Sequence, residues 1–139
     1  MMKQKLIEQL KKDEGFSTSA YKDTEGFLTI GYGRLIDKQK GFGITKQEAE
    51  YLLENDVNKV LDDLARNIPF FYSLSEARQL ALCNMCFQLG LSGLLKFKKM
   101  LAAMNSQDWQ EAYNQAMDSL WATQTPQRAV RVATEILRG

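Results

Sequence analysis

The sequence predicts an α+β fold: a small β-bearing N-lobe, a long connecting helix and a helical C-lobe. Three observations carry this. Residues 16–37 are rich in strand formers (Tyr21, Phe27, Leu28, Thr29, Ile30 and Tyr32), with Asp23, Gly26, Gly31 and Gly33 as turn residues between them. Residues 45–65 hold one apolar stripe of helical period, and from Pro69 onward the pattern is helical throughout.

The elements follow in order. Leu6, Ile7 and Leu10 lie at helical spacing, so residues 2–13 read as a short amphipathic helix ending near Gly15. Two or three short antiparallel strands occupy 16–37, and residues 38–44 form a glycine-bearing loop. Thr45 as N-cap with Glu48 three residues later is a capping box. Ala49, Leu52, Leu53, Val57, Val60, Leu61 and Leu64 then make one apolar face, opposite Glu54, Asp56, Asp62 and Asp63. This helix is long enough to bridge two lobes.

Ser75 with Glu76 starts a further helix. Its second half, residues 80–89, is hydrophobic all round and is expected to run through the core, with Gly90 and Gly93 stopping it. Later helices are expected at about 94–105, 108–117 and 126–138, with Pro126 where a first turn tolerates it. The chain reads as one domain: an N-lobe of about 14–50, a connecting helix of about 46–65, and a C-lobe of about 66–139 packed with helix 2–13.

Composition narrows the chemistry. The 139 residues include 18 Lys+Arg, 17 Asp+Glu, two Cys and no His, for a formal net charge of +1. Without histidine, Ser-His-Asp and Cys-His nucleophiles, His-ligated metals and imidazole shuttles are all excluded. Any proton transfer must run through Asp, Glu, Tyr, Cys or Lys. The near-zero charge argues against nucleic acid as a partner, since such domains are normally basic.

Cys83 and Cys86 have C-x-x-C spacing, but no His or third Cys exists to complete a zinc site. Their neighbours are apolar, so they read as small buried hydrophobes. No metal or cofactor is expected. Met1 to Glu8 contain no apolar h-region, which predicts no secretory signal, and no run reaches the length of a membrane span.

A pair of carboxylates is then the natural place for chemistry. Glu14 ends the first helix, Asp23 follows Tyr21-Lys22 at a turn, and Thr29 lies on the next strand. A glycosidase needs one protonated acid for the leaving oxygen and one ionised carboxylate for water or for positive charge. Local environments split two such carboxyls into those roles. On spacing alone, a helix-end acid and a turn acid explain Glu14 and Asp23 as well.

The stretches Asp13-Glu14-Gly15-Phe16 and Tyr21 through Gly33 closely resemble the T-even phage lysozyme family, glycoside hydrolase family 24. Asn84-Met85-Cys86-Phe87-Gln88-Leu89-Gly90 resembles that family's core-helix segment. Trp121 through Ala129 resembles the motif before its last helix. The family's catalytic Glu, Asp and Thr are nine and then six residues apart, and Glu14, Asp23 and Thr29 keep both spacings.

The resemblance implies a lysozyme-like fold, peptidoglycan glycan strands as substrate, and cleavage of the β-1,4 link from N-acetylmuramic acid to N-acetylglucosamine. It implies Glu14 as general acid. Asp23 would activate the attacking water or stabilise the oxocarbenium-like transition state, and Thr29 would position that water. Arg128 matches an arginine that reaches the catalytic Glu. Leu35, Phe87, Gln88, Met100 and Gln115 match substrate-contact positions, with Met100 in place of the family's Ser and Gln115 in place of its Asn. Plain core is nearly as good a reading of Phe87. Arg34 replaces a family histidine.

The resemblance also implies a monomer without stable membrane insertion, a phage or prophage endolysin made in a host bacterial cytoplasm. It would act on periplasmic peptidoglycan after permeabilisation by a holin. The competing readings are a lytic transglycosylase or a bacteriocin killing domain of the same fold, and, from another class, an inactive wall-binding module. Retained Asp23 and Thr29 argue against a transglycosylase, which has no use for a placed water. Retained Glu14 argues against an inactive module.

Overall fold

The computed structural model describes residues 2–14, 17–22, 28–31, 34–35 and 44–139, most of them helical. Asp23, the turns at Gly26 and Gly33, and the expected loop up to residue 43 lie outside the described residues. The chain divides into two compact units, Met1–Leu52 and Leu53–Gly139.

The first unit holds helix α1 (Met2–Glu14) and strands β1 (Ser17–Lys22), β2 (Leu28–Gly31) and β3 (Arg34–Leu35). The strands form an antiparallel sheet in the order β1-β2-β3. Tyr21 pairs with Thr29 and Lys22 with Leu28, while on the other side Thr29 pairs with Leu35 and Ile30 with Arg34. The register between Ser17 and Tyr21 is irregular.

Helix α2 (Lys46–Asn67) crosses the boundary between the units. Its start is fixed locally by the capping box: Glu48 N donates to Thr45 Oγ1 at 3.1 Å, and Thr45 N donates to Glu48 Oε1 at 3.4 Å. The expected apolar stripe is only partly buried. Leu64 is sealed and Val60 packs on the core, whereas Leu53, Val57 and Leu61 are 41–49% exposed.

In the second unit a 3₁₀ turn (Phe71–Ser73) leads into α3 (Glu76–Leu95). Ser75 caps α3 by accepting from Arg78 N at 3.3 Å. Two expectations about α3 need correction. Gly90 does break the helix, with φ 76° and ψ 165°, but helical geometry resumes through Gly93 to Leu95. It resumes because Leu94 is fully buried, so core packing restores the helix beyond the break. Nor is residues 80–89 sealed all round: Ala81, Leu82, Met85 and Cys86 are buried, but Leu80 and Phe87 lie on an open side.

The next helix starts later than expected. Phe97 is the N-cap of α4 (Lys98–Asn105), which turns by 100° from α3. It ends in a Schellman arrangement: Asp108 N donates to the Ala103 carbonyl at 2.8 Å and Gln107 N to that of Met104 at 3.1 Å. Helix α5 (Trp109–Met117) is capped by Asp108, and the short α6 (Leu120–Gln124) by Ser119. Helix α7 (Pro126–Arg138) buries Ala129, Val132, Ala133 and Ile136, the one-face spacing that fits a surface helix.

Helix α7 packs on α3, α5 and α6, and α4 packs on α5. Phe71, Leu64, Leu82, Met85, Leu94, Met100, Met104 and Ile136 are the largest fully buried side chains. Each contributes roughly 1.5–3 kcal/mol by leaving water. Among the described residues no single helix is long and apolar enough to cross a membrane.

Candidate functional site

The expected site residues fall into three places. Glu14 is the last residue of α1, and β1 ends at Lys22, so Asp23 is the next residue in the chain. The backbone of Thr29 occupies the central strand, paired with Tyr21 on one side and Leu35 on the other. Two of the expected positions, Thr29 and Leu35, are therefore direct neighbours across the sheet. All of these lie in the first unit.

Phe87 and Arg128 share a groove of about 460 Å³ in the second unit, between residues of α2, α3 and α7 that include Val57, Leu80 and Asn84. Phe87 is 47% exposed, so the plain-core reading of it does not hold. Arg128 Nε donates to Asn84 Oδ1 at 2.8 Å, and its Nη2 reaches the Asn84 carbonyl at 3.4 Å. This contact joins the start of the core-helix segment to the motif before the last helix, 44 residues apart in sequence. It fixes the direction of a cation beside an exposed aromatic ring.

Met100 and Gln115 come together in a different recess of about 520 Å³, bounded by α3, α4, α5 and α6. Met100, at 1% exposure, is core as well as lining, which suits a thioether in place of a hydroxyl. Gln115 Nε2 donates to Glu111 Oε1 at 2.7 Å. Gln88 borders this recess indirectly, since its Oε1 accepts from Trp121 Nε1 at 2.9 Å. Trp121 is a lining residue, and the ring of Phe97 meets it edge-on at 6.0 Å and 88°.

Of the residues lining this recess, the sequence singles out Met100 and Gln115 but not the basic ones, Lys96, Lys98 and Lys99. The available signal was a Lys-Phe-Lys-Lys run inside a stretch, residues 77–107, that contains no Asp or Glu. Asn84 stands out in the sequence only as part of a motif, because its hold on Arg128 depends on helix packing.

The thiols are not poised for chemistry. Burial pushes the Cys83 thiol up, and its neighbour Cys86 adds to the effect. Burial also raises Cys86, with Asp63 reinforcing and Lys59 opposing. Nucleophilic or redox cysteines need the reverse shift. Among the described residues no group of three or more Cys, Asp or Glu is placed to hold a metal ion.

A family model described as phage lysozyme matches residues 11–132. The pre-baseplate central spike protein Gp5 of Enterobacteria phage T4 is 39% identical over 159 aligned positions, covering 96% of this chain but only 28% of the spike protein. Probable T4-type lysozyme 2 of Dictyostelium discoideum is 35% identical, covering 91% of this chain and 90% of that protein. The endolysin of Salmonella phage P22 is 30% identical over 76% of this chain and 74% of its own length.

Proposed function

This chain belongs to the phage lysozyme family, and from that premise we propose that it is a muramidase, a glycoside hydrolase that degrades bacterial peptidoglycan. It cleaves the β-1,4 bond from N-acetylmuramic acid to N-acetylglucosamine. The observation that carries this is the Glu14, Asp23, Thr29 spacing of nine and six residues inside a family match that runs over 11–132.

Glu14 is the general acid. It gives its proton to the glycosidic oxygen as the C1–O bond breaks, and the leaving sugar departs as an alcohol. Asp23, ionised, activates the attacking water or stabilises the positive charge that develops on the ring. Thr29 orients that water, and the product carries a new reducing end. The sheet register supports this assignment, because Thr29 lies between Tyr21, two residues before Asp23, and Leu35, a substrate-contact position. Phe87, Gln88, Met100 and Gln115 contact the substrate, and Arg128, held by Asn84, is the supporting cation.

The lysozyme-like fold is α+β in this reading, with a β-bearing N-lobe joined through α2 to a helical C-lobe. The protein works as a monomer and as an endolysin, on periplasmic peptidoglycan, once a holin has opened the inner membrane. The test compares wild type with Glu14→Gln on outer-membrane-permeabilised Gram-negative cells. Rapid clearing by the wild type and none by the variant is expected. Equal clearing by both would overturn the assignment of Glu14.

One observation favours a second setting for the same chemistry. The 39% identity to a segment of a phage spike protein fits a lysozyme unit that digests the wall from outside during infection. Antibody detection of the protein in purified virions would favour this setting over release as an endolysin.

A further inference from the structure

The recess floored by Met100 carries more positive charge than a neutral amino-sugar chain can use. Lys96, Lys98 and Lys99 are exposed lining residues, and Asp118 is the acid among the lining side chains. None of the three lysines has an ion-pair partner among the described residues. Helix α4 also begins at Lys98 without a side-chain cap on its first N–H groups, which adds partial positive charge on the same side. Beneath this rim the surface is apolar, built from Leu89, Met100 and Trp121, with Gln115 and Gln124 as amide groups at the wall. Its volume of about 520 Å³ falls in the range of small-ligand sites.

We propose that Lys96, Lys98 and Lys99 read the charge of the peptide branches on the wall polymer. The recess then takes a short acidic peptide with free carboxylates in preference to the same peptide with its carboxylates amidated. This rests on the muramidase reading, because the peptide arrives attached to the glycan being cut. The chemistry matches group by group: alanine methyl groups suit the apolar floor, peptide groups suit the glutamine amides, and carboxylates suit the ammonium rim. A concave recess with hydrogen-bonding walls favours an inserted peptide over a flat anionic lipid surface. Three exposed ion pairs of modest individual strength give a preference of roughly tenfold. Because the lysines are solvated, that preference shrinks with salt, as screening lengths fall below about 10 Å above roughly 0.1 M.

Two measurements decide it. In the first, reducing ends released from purified sacculi are compared with those from sacculi whose stem carboxylates have been amidated with carbodiimide and ammonia. This is done for wild type and for Lys96→Gln/Lys98→Gln/Lys99→Gln. Wild type should favour the free-acid wall roughly tenfold in kcat/KM at low salt, mainly through KM, and the triple variant should lose that preference. Lys98→Glu/Lys99→Glu, which also replaces exposed side chains, should invert it.

In the second, the free acidic stem tetrapeptide and its amidated form are titrated into each protein and followed by NMR. The acidic form should bind wild type more tightly than the amidated form, and the triple variant should show no difference. A wild type indifferent to amidation, a preference that survives the triple substitution, or binding to anionic vesicles without binding to the peptide would each overturn the proposal. A wild type that releases reducing ends from neither wall would instead overturn the muramidase reading, and the titration would still decide the lysines.

Discussion

The guanidinium of Arg78 lies over the ring of Trp109, with Cζ 3.6 Å from the ring centroid. The same side chain donates from Nε to the Ile136 carbonyl at 2.8 Å and from Nη2 to that of Leu137 at 3.2 Å. One residue in the first turn of α3 thus ties the start of α5 to the end of α7. It supplies donors to carbonyls that the last turn of a helix leaves unpaired.

Arg78→Met should therefore cost about 2–4 kcal/mol, combining a cation–π contact with hydrogen bonds from a charged donor. Arg78→Lys should cost about half as much, since an ammonium keeps the charge but not the planar fork. Urea unfolding checks this through a lower midpoint at unchanged m-value. A loss below about 0.5 kcal/mol for Arg78→Met would mean that α7 is held by its apolar face alone.

Gln107 ends α4 at φ 61°, a left-handed conformation that costs a side-chain-bearing residue about 1–2 kcal/mol. Gln107→Gly should accordingly stabilise the protein by about 0.5–1 kcal/mol, part of the gain being lost to the looser unfolded chain. The converse holds at Gly90, where φ is 76° and an added Cβ would meet nothing within 4 Å. Gly90→Ala should destabilise by about 1–3 kcal/mol through backbone strain alone. Thermal melts of the two variants should move in opposite directions. Melts moving the same way would refute the backbone argument.

Local signals in the sequence identify the ends of elements far better than they identify the surfaces between them. Thr45 and Glu48 predict the start of α2 because both partners of the capping box lie within one turn. Pro126 and the spacing of Ala129, Val132, Ala133 and Ile136 define α7 for the same reason. Gly90 marks a break, but whether helix resumes after it depends on the burial of Leu94, which no local pattern contains. Helix α6, only five residues long, is too short for a period to show.

The site divides along the same line. Glu14, Asp23 and Thr29 stand out through the spacing they share with a family, whereas paired carboxylates alone leave a bland explanation open. The neighbours that shape the second unit's surfaces come from pairings such as Asn84 with Arg128 and Gln88 with Trp121, 44 and 33 residues apart. The lysine rim was visible as a run of charge, and it became a lining only when α3, α4, α5 and α6 were folded around Met100.

Cys83 and Cys86 give a prediction whose direction follows from their environment. Burial favours the neutral thiol in the folded chain and raises both pKa values above those of the unfolded chain. The folded state then holds its protons longer than the unfolded state does. The stability this contributes is fully present below the unfolded thiol pKa of about 8.5, and it is lost as pH rises from there through the folded values. Under reducing conditions, the unfolding free energy of the wild type should fall more steeply between about pH 8 and pH 10 than that of Cys83→Ala/Cys86→Ala. The double variant will be less stable at every pH because it loses buried volume, so the comparison lies in the slopes. A thiol-specific disulfide reagent at about pH 8 should label Cys86 only at the rate of unfolding, and half-buried Cys83 slowly. Parallel pH slopes, or fast labelling of Cys86 with the fold intact, would show that the α3 thiols are open to water and that Met85 and Cys86 do not share one sealed face.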